Sequence, residues 1–284
     1  MKYSVIVCTY NRCDVLKTCI AHLLDIAYKS YEIILVNDGS ADGTFKFLSQ
    51  FDTSKNVNII NRKENCGLAF SRNEGIECAS GDYIVICDDD DLLDLNIFST
   101  LDGYLLNDEK AIYVTPSCRR GSFKKISPKF DMCKITSFIN NGFTPPVAGQ
   151  IYPRTLFDRF KYNTQIKSGV DHDLWLQMYG SDYRVKLVNE HISFPDSLVS
   201  GLEKITLSQN RMNLIRQSLV VWEEYPNLDL NFIDYLRGQY IKNYKYKIVI
   251  SERKIGLAYC VFYLKALIHK FSVYRRPTFD RFSS

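Results

Sequence analysis

The 284-residue chain lacks several features that define common classes of protein. None of its nine cysteines forms a C-x₂-C pair, which argues against a zinc site, and their odd number is typical of reduced, buried thiols in a cytosolic protein. The longest apolar run, 255–264, has half of the roughly 20 residues that a membrane-spanning helix needs. No small-residue cleavage site follows the apolar run near the N-terminus, so we expect no secretory signal.

Glycine-rich phosphate loops are also missing. After the first apolar segment the chain reads "CTYNRCDV", without the G-x-G-x-x-G of an NAD-dependent oxidoreductase. The chain also lacks the basic, glycine-rich loop of nucleotidyltransferases that make nucleotide sugars, which argues against a nucleotidyltransferase. A content of 46% hydrophobic and 24% charged residues is ordinary for a globular protein and argues against extensive disorder.

Charge is distributed unevenly along the chain. Residues 237–284 carry eleven Lys or Arg and two Asp or Glu, a net charge of +9. Because the whole chain has a net charge of +4, residues 1–236 have a net charge of −5. The basic tail also has ten aromatic residues, which favours docking on an anionic membrane surface. Helices packed on the rest of the protein, with a solvated basic face, are an equal alternative. Nucleic-acid binding is disfavoured because the acidic body would repel phosphates and no recognition motif is present.

The first hundred residues alternate between short apolar runs and helical patterns. Continuous apolar runs, typical of strands buried on both faces, occur at 3–10, 31–37, 57–62 and 82–88. We expect Asn11 to cap the helix that follows the first strand. Residues 66–80 predict another helix, one side of which would carry Leu68, Ser71, Gly75 and Cys78. The alternation predicts an α/β fold with right-handed strand–helix–strand units and a mainly parallel sheet flanked by helices.

The rest of the chain has weaker patterns. They predict helices at 94–107 and within 168–180, a strand at 183–189, and mostly helix from about 205 onward. Between them, residues 111–165 mix glycine, proline and aromatic residues, which indicates a loop-and-strand region that shapes a cleft.

Four consecutive aspartates, Asp88 to Asp91, begin at the last residue of the run at 82–88. Two carboxylates about 4 Å apart repel by roughly 4 kcal/mol at an effective dielectric constant near 20, so the run needs either water or a cation around it. An extended segment would put Asp88 and Asp90 on one side and Asp89 on the other. Polar residues at 9–11 and 37–40 likewise lie at the carboxyl ends of the first two predicted strands. Ligand sites of parallel sheets lie at the edge formed by the carboxyl ends of the strands. A solvated acidic turn and a ligand site both stay open.

Four stretches taken together resemble the family 2 glycosyltransferases, which have the GT-A fold. They are "VIVCTYNR" (5–12), "EIILVNDGSADGT" (32–44), the run from Asn65 to Leu93, and "GVDHDLWLQMYG" (169–180). The similarity is dense over 3–95, thinner to about 200 and absent from the tail. The resemblance implies a catalytic domain over 1–205, with a nucleotide-sugar half at 1–95 and an acceptor half at 96–205. A helical basic and aromatic extension would follow at 206–284.

The resemblance also implies how a nucleotide-sugar donor, most simply a UDP-sugar, is bound. The implied donor-binding residues are Thr9, Tyr10, Asn11, Asp38, Gly67, Arg72, Asp88, Asp89 and Asp91. Asp88 and Asp90 match the outer carboxylates of the family's D-x-D motif, and hard oxygen ligands suit Mn²⁺ or Mg²⁺. The chain departs from the family at Asn37, where many relatives have a first acidic residue before Asp38.

Catalysis is implied by the last of the four stretches. Asp171 matches the family's general base, which takes the proton of the acceptor hydroxyl during an inverting attack. Val170 replaces the glutamate that often precedes this aspartate, and Asp173 is the competing candidate. His172 and His191 are poor candidates for metal ligands.

The implied activity is transfer of a hexose or N-acetylhexosamine to a glycan acceptor in surface polysaccharide synthesis. A polyprenyl-diphosphate-linked acceptor would agree with a cytoplasmic protein that is peripheral on the inner face of the plasma membrane. A non-catalytic sugar-nucleotide-binding protein of the same fold and a nucleotidyltransferase are the alternatives.

Overall fold

A computed structural model of the chain describes residues 2–51, 56–105, 108–115, 117–119, 122–124, 131–140, 150–167, 169–188, 190, 193–194 and 225. The helical extension predicted for 206–284 lies outside these residues, apart from Tyr225. Within the described ranges, no helix has the length and apolar character that crossing a bilayer requires.

The described chain alternates strands and helices. The strands are β1 (Tyr3–Thr9), β2 (Tyr31–Asn37), β3 (Val57–Asn61), β4 (Tyr83–Asp88), β5 (Leu92–Leu93), β6 (Ala111–Val114), β7 (Ser117–Arg119), β8 (Ser122–Lys124), β9 (Cys133–Lys134), β10 (Gln150–Pro153), β11 (Arg184–Leu187) and β12 (Ser193–Phe194). The helices are α1 (Cys13–Leu24), α2 (Thr44–Ser49), α3 (Leu68–Glu77), α4 (Ile97–Asp102), α5 (Ile135–Asn140) and α6 (Val170–Gln177), with a 3₁₀ helix at Arg154–Asp158.

One eight-stranded sheet organises the fold, in the order β3-β2-β1-β4-β10-β6-β11-β9. Strands β3, β2, β1 and β4 run parallel, whereas β10 is antiparallel to both of its neighbours. The four strands predicted in the first hundred residues agree with the structure to within one residue at each end. Every residue of β2 is buried, as its continuous apolar run indicates. The predicted α/β fold is confirmed.

Helices cover both faces of the sheet because successive side chains of a strand point to opposite sides. In β1, Val5 and Val7 pack in a core cluster with residues of α1, α2 and α4. Ile6, between them, packs in a second cluster with residues of α3, α5 and α6. Burying one such side chain contributes about 1.5–3 kcal/mol, so the two clusters hold the carboxyl-terminal edge of the sheet in place.

The capping prediction for Asn11 was wrong. This residue has a positive φ of 54°, and its Oδ1 accepts a hydrogen bond from the Ala41 N–H at 2.7 Å. Asp42, in the loop after β2, instead accepts the Cys13 N–H of α1 at 3.0 Å and the Thr44 N–H of α2 at 2.9 Å. The first free N–H of α1 therefore finds its partner across a loop, and no local pattern indicates this.

The buried side of α3 also differs in part from the prediction. Leu68 is 42% exposed and Cys78 is exposed, whereas Arg72 and Gly75 are buried. A Cβ atom on Gly75 would lie 2.8 Å from Cγ2 of Ile6, so α3 rests directly on β1 at this glycine. Arg72, three residues earlier on the same helical face, is thereby turned into the protein.

Candidate active site

The carboxyl ends of β1, β2 and β4 lie side by side. Thr9 pairs with Asn37 across β1 and β2, and Cys8 pairs with Asp88 across β1 and β4. We call this edge the rim, with residues 9–12, 37–42 and 88–91. It gathers the three polar segments that the sequence predicted to meet.

The four aspartates form a turn rather than an extended segment. β4 ends at Asp88, and the Asp91 N–H donates to the Asp88 carbonyl at 3.0 Å. The turn brings carboxylate oxygens of Asp88, Asp90 and Asp91 within 4.8 Å of one another, a group that we call the acidic cluster. Asp89 does not belong to this group, and its oxygens contact Thr9 and Arg12 instead. Asp91 joins the cluster because of the turn.

The acidic cluster suits a hard divalent cation. Its ligand atoms are all carboxylate oxygens, the type that Mg²⁺ and Mn²⁺ prefer. The pKa of Asp88 is raised to about 6, chiefly by burial and also by the nearby carboxylates of Asp171 and Asp90, against the opposing effect of Arg72. A cation at this position would relieve the cost of burying these charges.

Asp89 is held by the first segment of the rim. Its Oδ2 accepts a 2.6 Å hydrogen bond from the Thr9 hydroxyl, and its Oδ1 accepts from Arg12 Nη1 at 2.8 Å. The same Arg12 nitrogen lies 3.1 Å from Oδ2 of Asp90. Sequence reasoning missed Arg12, although an arginine just after a strand end and just before a helix was a visible signal. Tyr10, beside it, is 47% exposed at the rim.

Asp38 joins two loops of the site. Its two carboxylate oxygens accept the N–H groups of Cys66 and Gly67, both at 2.8 Å, and Arg62 Nη1 lies 3.3 Å from Oδ1. Gly39 follows with a φ of +70°, and a Cβ atom there would lie 2.3 Å from the carbonyl carbon of Glu64. The turn after β2 is therefore packed directly against the loop before α3. That loop ends at Gly67, which has a φ of +94°, and α3 begins at the next residue.

Asn37 explains one departure from the family pattern. Its Nδ2 donates to Oδ1 of Asn61 at 2.6 Å, while its Oδ1 accepts the Ser40 N–H at 3.1 Å. An aspartate could accept from Ser40 but could not donate to Asn61. The amide therefore suits the neighbour that this chain has on β3.

Arg72 links the acidic cluster to α6. This residue is 1% exposed, and its Nη2 lies 2.8 Å from Oδ1 of Asp88 while its Nη1 lies 2.6 Å from Oδ1 of Asp171. The guanidinium also lies over the ring of Tyr162, 5.1 Å from its centroid. The arginine that the resemblance assigns to the donor is thus held between two carboxylates, one from β4 and one from α6.

The two aspartates of α6 have different surroundings. The Asp171 side chain is 17% exposed and faces Arg72. Asp173 is fully buried, and its oxygens accept from Gln177 Nε2 and from the Tyr225 hydroxyl, both at 2.7 Å. Only Asp171 thus combines access to solvent with a position beside the cluster. His172, between them, has its pKa lowered to about 4 by burial, while His191 lies outside the described residues.

A Rossmann-like sheet with an acidic cluster and a further carboxylate at its rim is the arrangement expected of nucleotide-sugar transferases of the GT-A type. The sequence profile described as "Glycosyl transferase family 2" matches residues 4–169, more than half of the chain. The chain therefore belongs to glycosyltransferase family 2. Membership of this family argues against the nucleotidyltransferase.

Curated relatives agree with the family. The glycosyltransferase GlyG of Streptococcus pneumoniae serotype 4 is 38% identical over 99 residues, which are 34% of this chain and 33% of GlyG. The match thus spans about a third of that relative's length. The cholesterol galactosyltransferase of Borreliella burgdorferi is 25% identical over 277 residues, covering 88% of this chain and 76% of the relative.

Solved structures agree with the fold. S. aureus TarS 1–349 in complex with UDP-GlcNAc superposes with a TM-score of 0.63 at 16% identity, covering 94% of this chain and 80% of that one. The mannosyltransferase PcManGT from Pyrobaculum calidifontis, in complex with GDP-Man and Mn²⁺, gives a TM-score of 0.59 at 14% identity, covering 96% and 81%. The GT-A-like fold predicted from the sequence is confirmed.

Proposed function

We propose that the protein is an inverting, metal-dependent glycosyltransferase that moves a hexose or N-acetylhexosamine from a UDP-sugar to a glycan acceptor. The observation that carries the proposal is the Arg72 link, because one guanidinium fixes the candidate base Asp171 beside the acidic-cluster residue Asp88. An inverting transfer needs both groups around one sugar: a cation site at the leaving diphosphate and a base at the incoming hydroxyl.

The donor would lie along the rim. The exposed ring of Tyr10 offers a face for the uracil base, and Thr9, Asn11, Asp38 and Gly67 would shape the nucleotide subsite. Asp38 already accepts two backbone N–H groups, so its main part in this subsite would be to fix the loop at 64–67. The complex of TarS with UDP-GlcNAc supports a UDP-linked donor for this fold.

Asp88 and Asp90 would hold Mn²⁺ or Mg²⁺, with Asp91 beside them. When bound, the ion would neutralise charge on the departing nucleoside diphosphate. Asp89 would act one step away, by anchoring the turn through Thr9 and Arg12. The complex of PcManGT with GDP-Man and Mn²⁺ supports such an ion in this fold.

Asp171 would take the proton of the acceptor hydroxyl as its oxygen attacks the anomeric carbon opposite the diphosphate. Arg72 would keep the carboxylate pointed at the site, and Tyr162 would hold Arg72 from the other side. Asp173 would be structural, because both of its oxygens are engaged in the interior.

The acceptor would belong to surface polysaccharide synthesis and carry a polyprenyl diphosphate. A peripheral position on the inner face of the plasma membrane, through the basic and aromatic tail at 237–284, would bring the enzyme to such a substrate. The relative named as a cholesterol galactosyltransferase supports a lipid-borne acceptor. The division into a catalytic domain at 1–205, with a nucleotide-sugar half at 1–95 and an acceptor half at 96–205, and an extension at 206–284 is part of the same proposal.

The test is a panel of nucleotide sugars with Mn²⁺ or with EDTA, scored for release of nucleoside diphosphate. We expect release from one or a few UDP-sugars with Mn²⁺ and none with EDTA. The anomeric configuration of the product, read by NMR, should be opposite to that of the donor. Release in EDTA would contradict the metal, and a retained configuration would contradict the role of Asp171.

A further inference from the structure

Arg12 is a cationic side chain that pairs with two of the four consecutive aspartates, Asp89 and Asp90. Its Nη1 contacts Oδ1 of Asp89 at 2.8 Å and Oδ2 of Asp90 at 3.1 Å. The Asp89 side chain is 6% exposed and is held again by the Thr9 hydroxyl, so this contact is the anchored one. The Asp90 contact is longer, and Asp90 belongs to the acidic cluster.

Two arginines of the described residues pair with the aspartates of the site. Arg12 pairs with Asp89 and Asp90, and Arg72 pairs with Asp88 and Asp171. Arg72 is shared between Asp88 and Asp171 and is enclosed in the interior. Arg12 has a side chain that is 39% exposed, so it can move away from Asp90 while its contact with Asp89 persists.

We infer that Arg12 is a resident counter-cation that a divalent ion displaces from Asp90. This inference rests on the proposed metal site. Without the ion, Arg12 screens the repulsion among the carboxylates and keeps the turn at 88–91 folded. With the ion, the Asp90 oxygen turns to the metal, and Arg12 stays on Asp89. Arg12 is therefore a positioning residue that opposes metal binding until enough of the ion is present.

The inference sets the sign of two measurements. Removing the guanidinium charge removes a positive neighbour of the ion and a competitor for Asp90, so Mn²⁺ should bind more tightly. The same change leaves the carboxylates less screened, so the metal-free protein should melt at a lower temperature. Mn²⁺ should then raise the melting temperature by more than it does in the unaltered protein, since tighter binding to the folded state stabilises it more.

The test is a Mn²⁺ titration of the full chain without donor, with free Mn²⁺ read by electron paramagnetic resonance. We expect Arg12→Gln to bind Mn²⁺ about tenfold more tightly, a change of about 1.4 kcal/mol. Arg12→Lys keeps the charge and should stay within about twofold of the unaltered protein. Arg62→Gln is the matched control, because Arg62 pairs with Asp38 and Glu74 and not with the acidic run.

Unchanged or weaker Mn²⁺ binding by Arg12→Gln would overturn the inference, and so would equal tightening in Arg12→Lys. If the unaltered protein binds no Mn²⁺ at the Asp90 site, as judged by comparison with Asp90→Asn, the proposed metal site fails and the inference fails with it. A second measurement does not depend on how Arg12→Gln folds. In the unaltered protein, the side-chain N–H resonance of Arg12, assigned by its loss in Arg12→Lys, should shift as Mg²⁺ is added, and a constant resonance would overturn the inference.

Discussion

Exchanging each aspartate of α6 for asparagine should separate catalysis from stability. In the unaltered protein, Arg72 Nη1 lies 2.6 Å from Oδ1 of Asp171. Asp171→Asn keeps an oxygen that can accept this hydrogen bond, but the amide cannot take a proton. Loss of a general base lowers turnover by about 10²–10⁴, which is about 2.7–5.5 kcal/mol in activation free energy. The folded state should lose only about 1 kcal/mol, the difference between a charged and a neutral hydrogen bond.

Asp173→Asn should give the opposite result. Both oxygens of Asp173 accept from a donor, so the new amide nitrogen must face either the Tyr225 hydroxyl or Nε2 of Gln177. Reversing the Gln177 amide is opposed because its Nε2 also donates to the carbonyl of Lys161 at 2.9 Å. A buried donor left without an acceptor costs about 1–3 kcal/mol, so this variant should lose stability and retain turnover per folded molecule to within about tenfold.

Three measurements on both variants check this prediction. Turnover is read from nucleoside diphosphate release, donor affinity from titration calorimetry, and the free energy of unfolding from urea denaturation. Donor affinity should be nearly unchanged in Asp171→Asn, because the substitution acts on the acceptor side. A 10²-fold loss of turnover in Asp173→Asn, together with an active Asp171→Asn, would refute the reasoning and exchange the two roles.

Three further predictions concern the metal, pH and the tail. Asp90→Ala should abolish transfer and Mn²⁺ binding in a folded protein. Asp89→Ala should keep most Mn²⁺ binding but lose about 1–3 kcal/mol of stability, because it loses the contacts with Thr9 and Arg12. Equal losses of Mn²⁺ binding in the two variants would contradict the geometry of the turn. Because burial raises the pKa of Asp88 to about 6, from an ordinary value near 4, its contribution to the stability of the metal-free fold is present below about pH 4 and is lost as the pH rises through 6. Mn²⁺ needs the charged carboxylate, so its affinity should strengthen between pH 5 and 7, and calorimetry that finds a constant affinity would count against this ligand. Finally, the protein should co-sediment with anionic vesicles and be partly released by high salt. Removal of residues from about 250 onward should end that binding, while the truncated protein still uses a short soluble acceptor. Sedimentation that does not depend on lipid charge would favour tail helices packed on the protein.

The sequence predicts the sheet well because the strands are coded locally. In β1 and β2 every second side chain serves one face, and both faces are covered, so the apolar runs are continuous and easily recognised. The carboxyl ends of parallel strands then necessarily meet, and this was enough to predict that Thr9, Asp38 and Asp88 would share an edge.

The details of the site depend on contacts that no local pattern contains. One hydrogen bond, from the Asp91 N–H to the Asp88 carbonyl, changes an extended run into a turn and adds Asp91 to the acidic cluster. The position of Arg72 depends on how closely α3 approaches β1 at Gly75, and its partner Asp171 comes from 99 residues further along the chain. Asp42 caps α1 from a loop 29 residues away. Hydrophobic periodicity carries no information about such long-range polar pairs.

The hydrogen bond between Tyr225 and Asp173 has a consequence for chimeric enzymes. Tyr225 packs against the core cluster that includes residues of α6, and its hydroxyl donates to a carboxylate that is fully buried. An exchange of C-terminal segments between relatives, made at about residue 205 to alter membrane attachment, would remove this hydroxyl wherever the incoming segment has no tyrosine at 225. The carboxylate would then lack one of its donors. Positions 173 and 225 therefore form a compatibility pair, to be transplanted together. A chimera that brings phenylalanine at 225 should fold well only if an uncharged residue replaces Asp173.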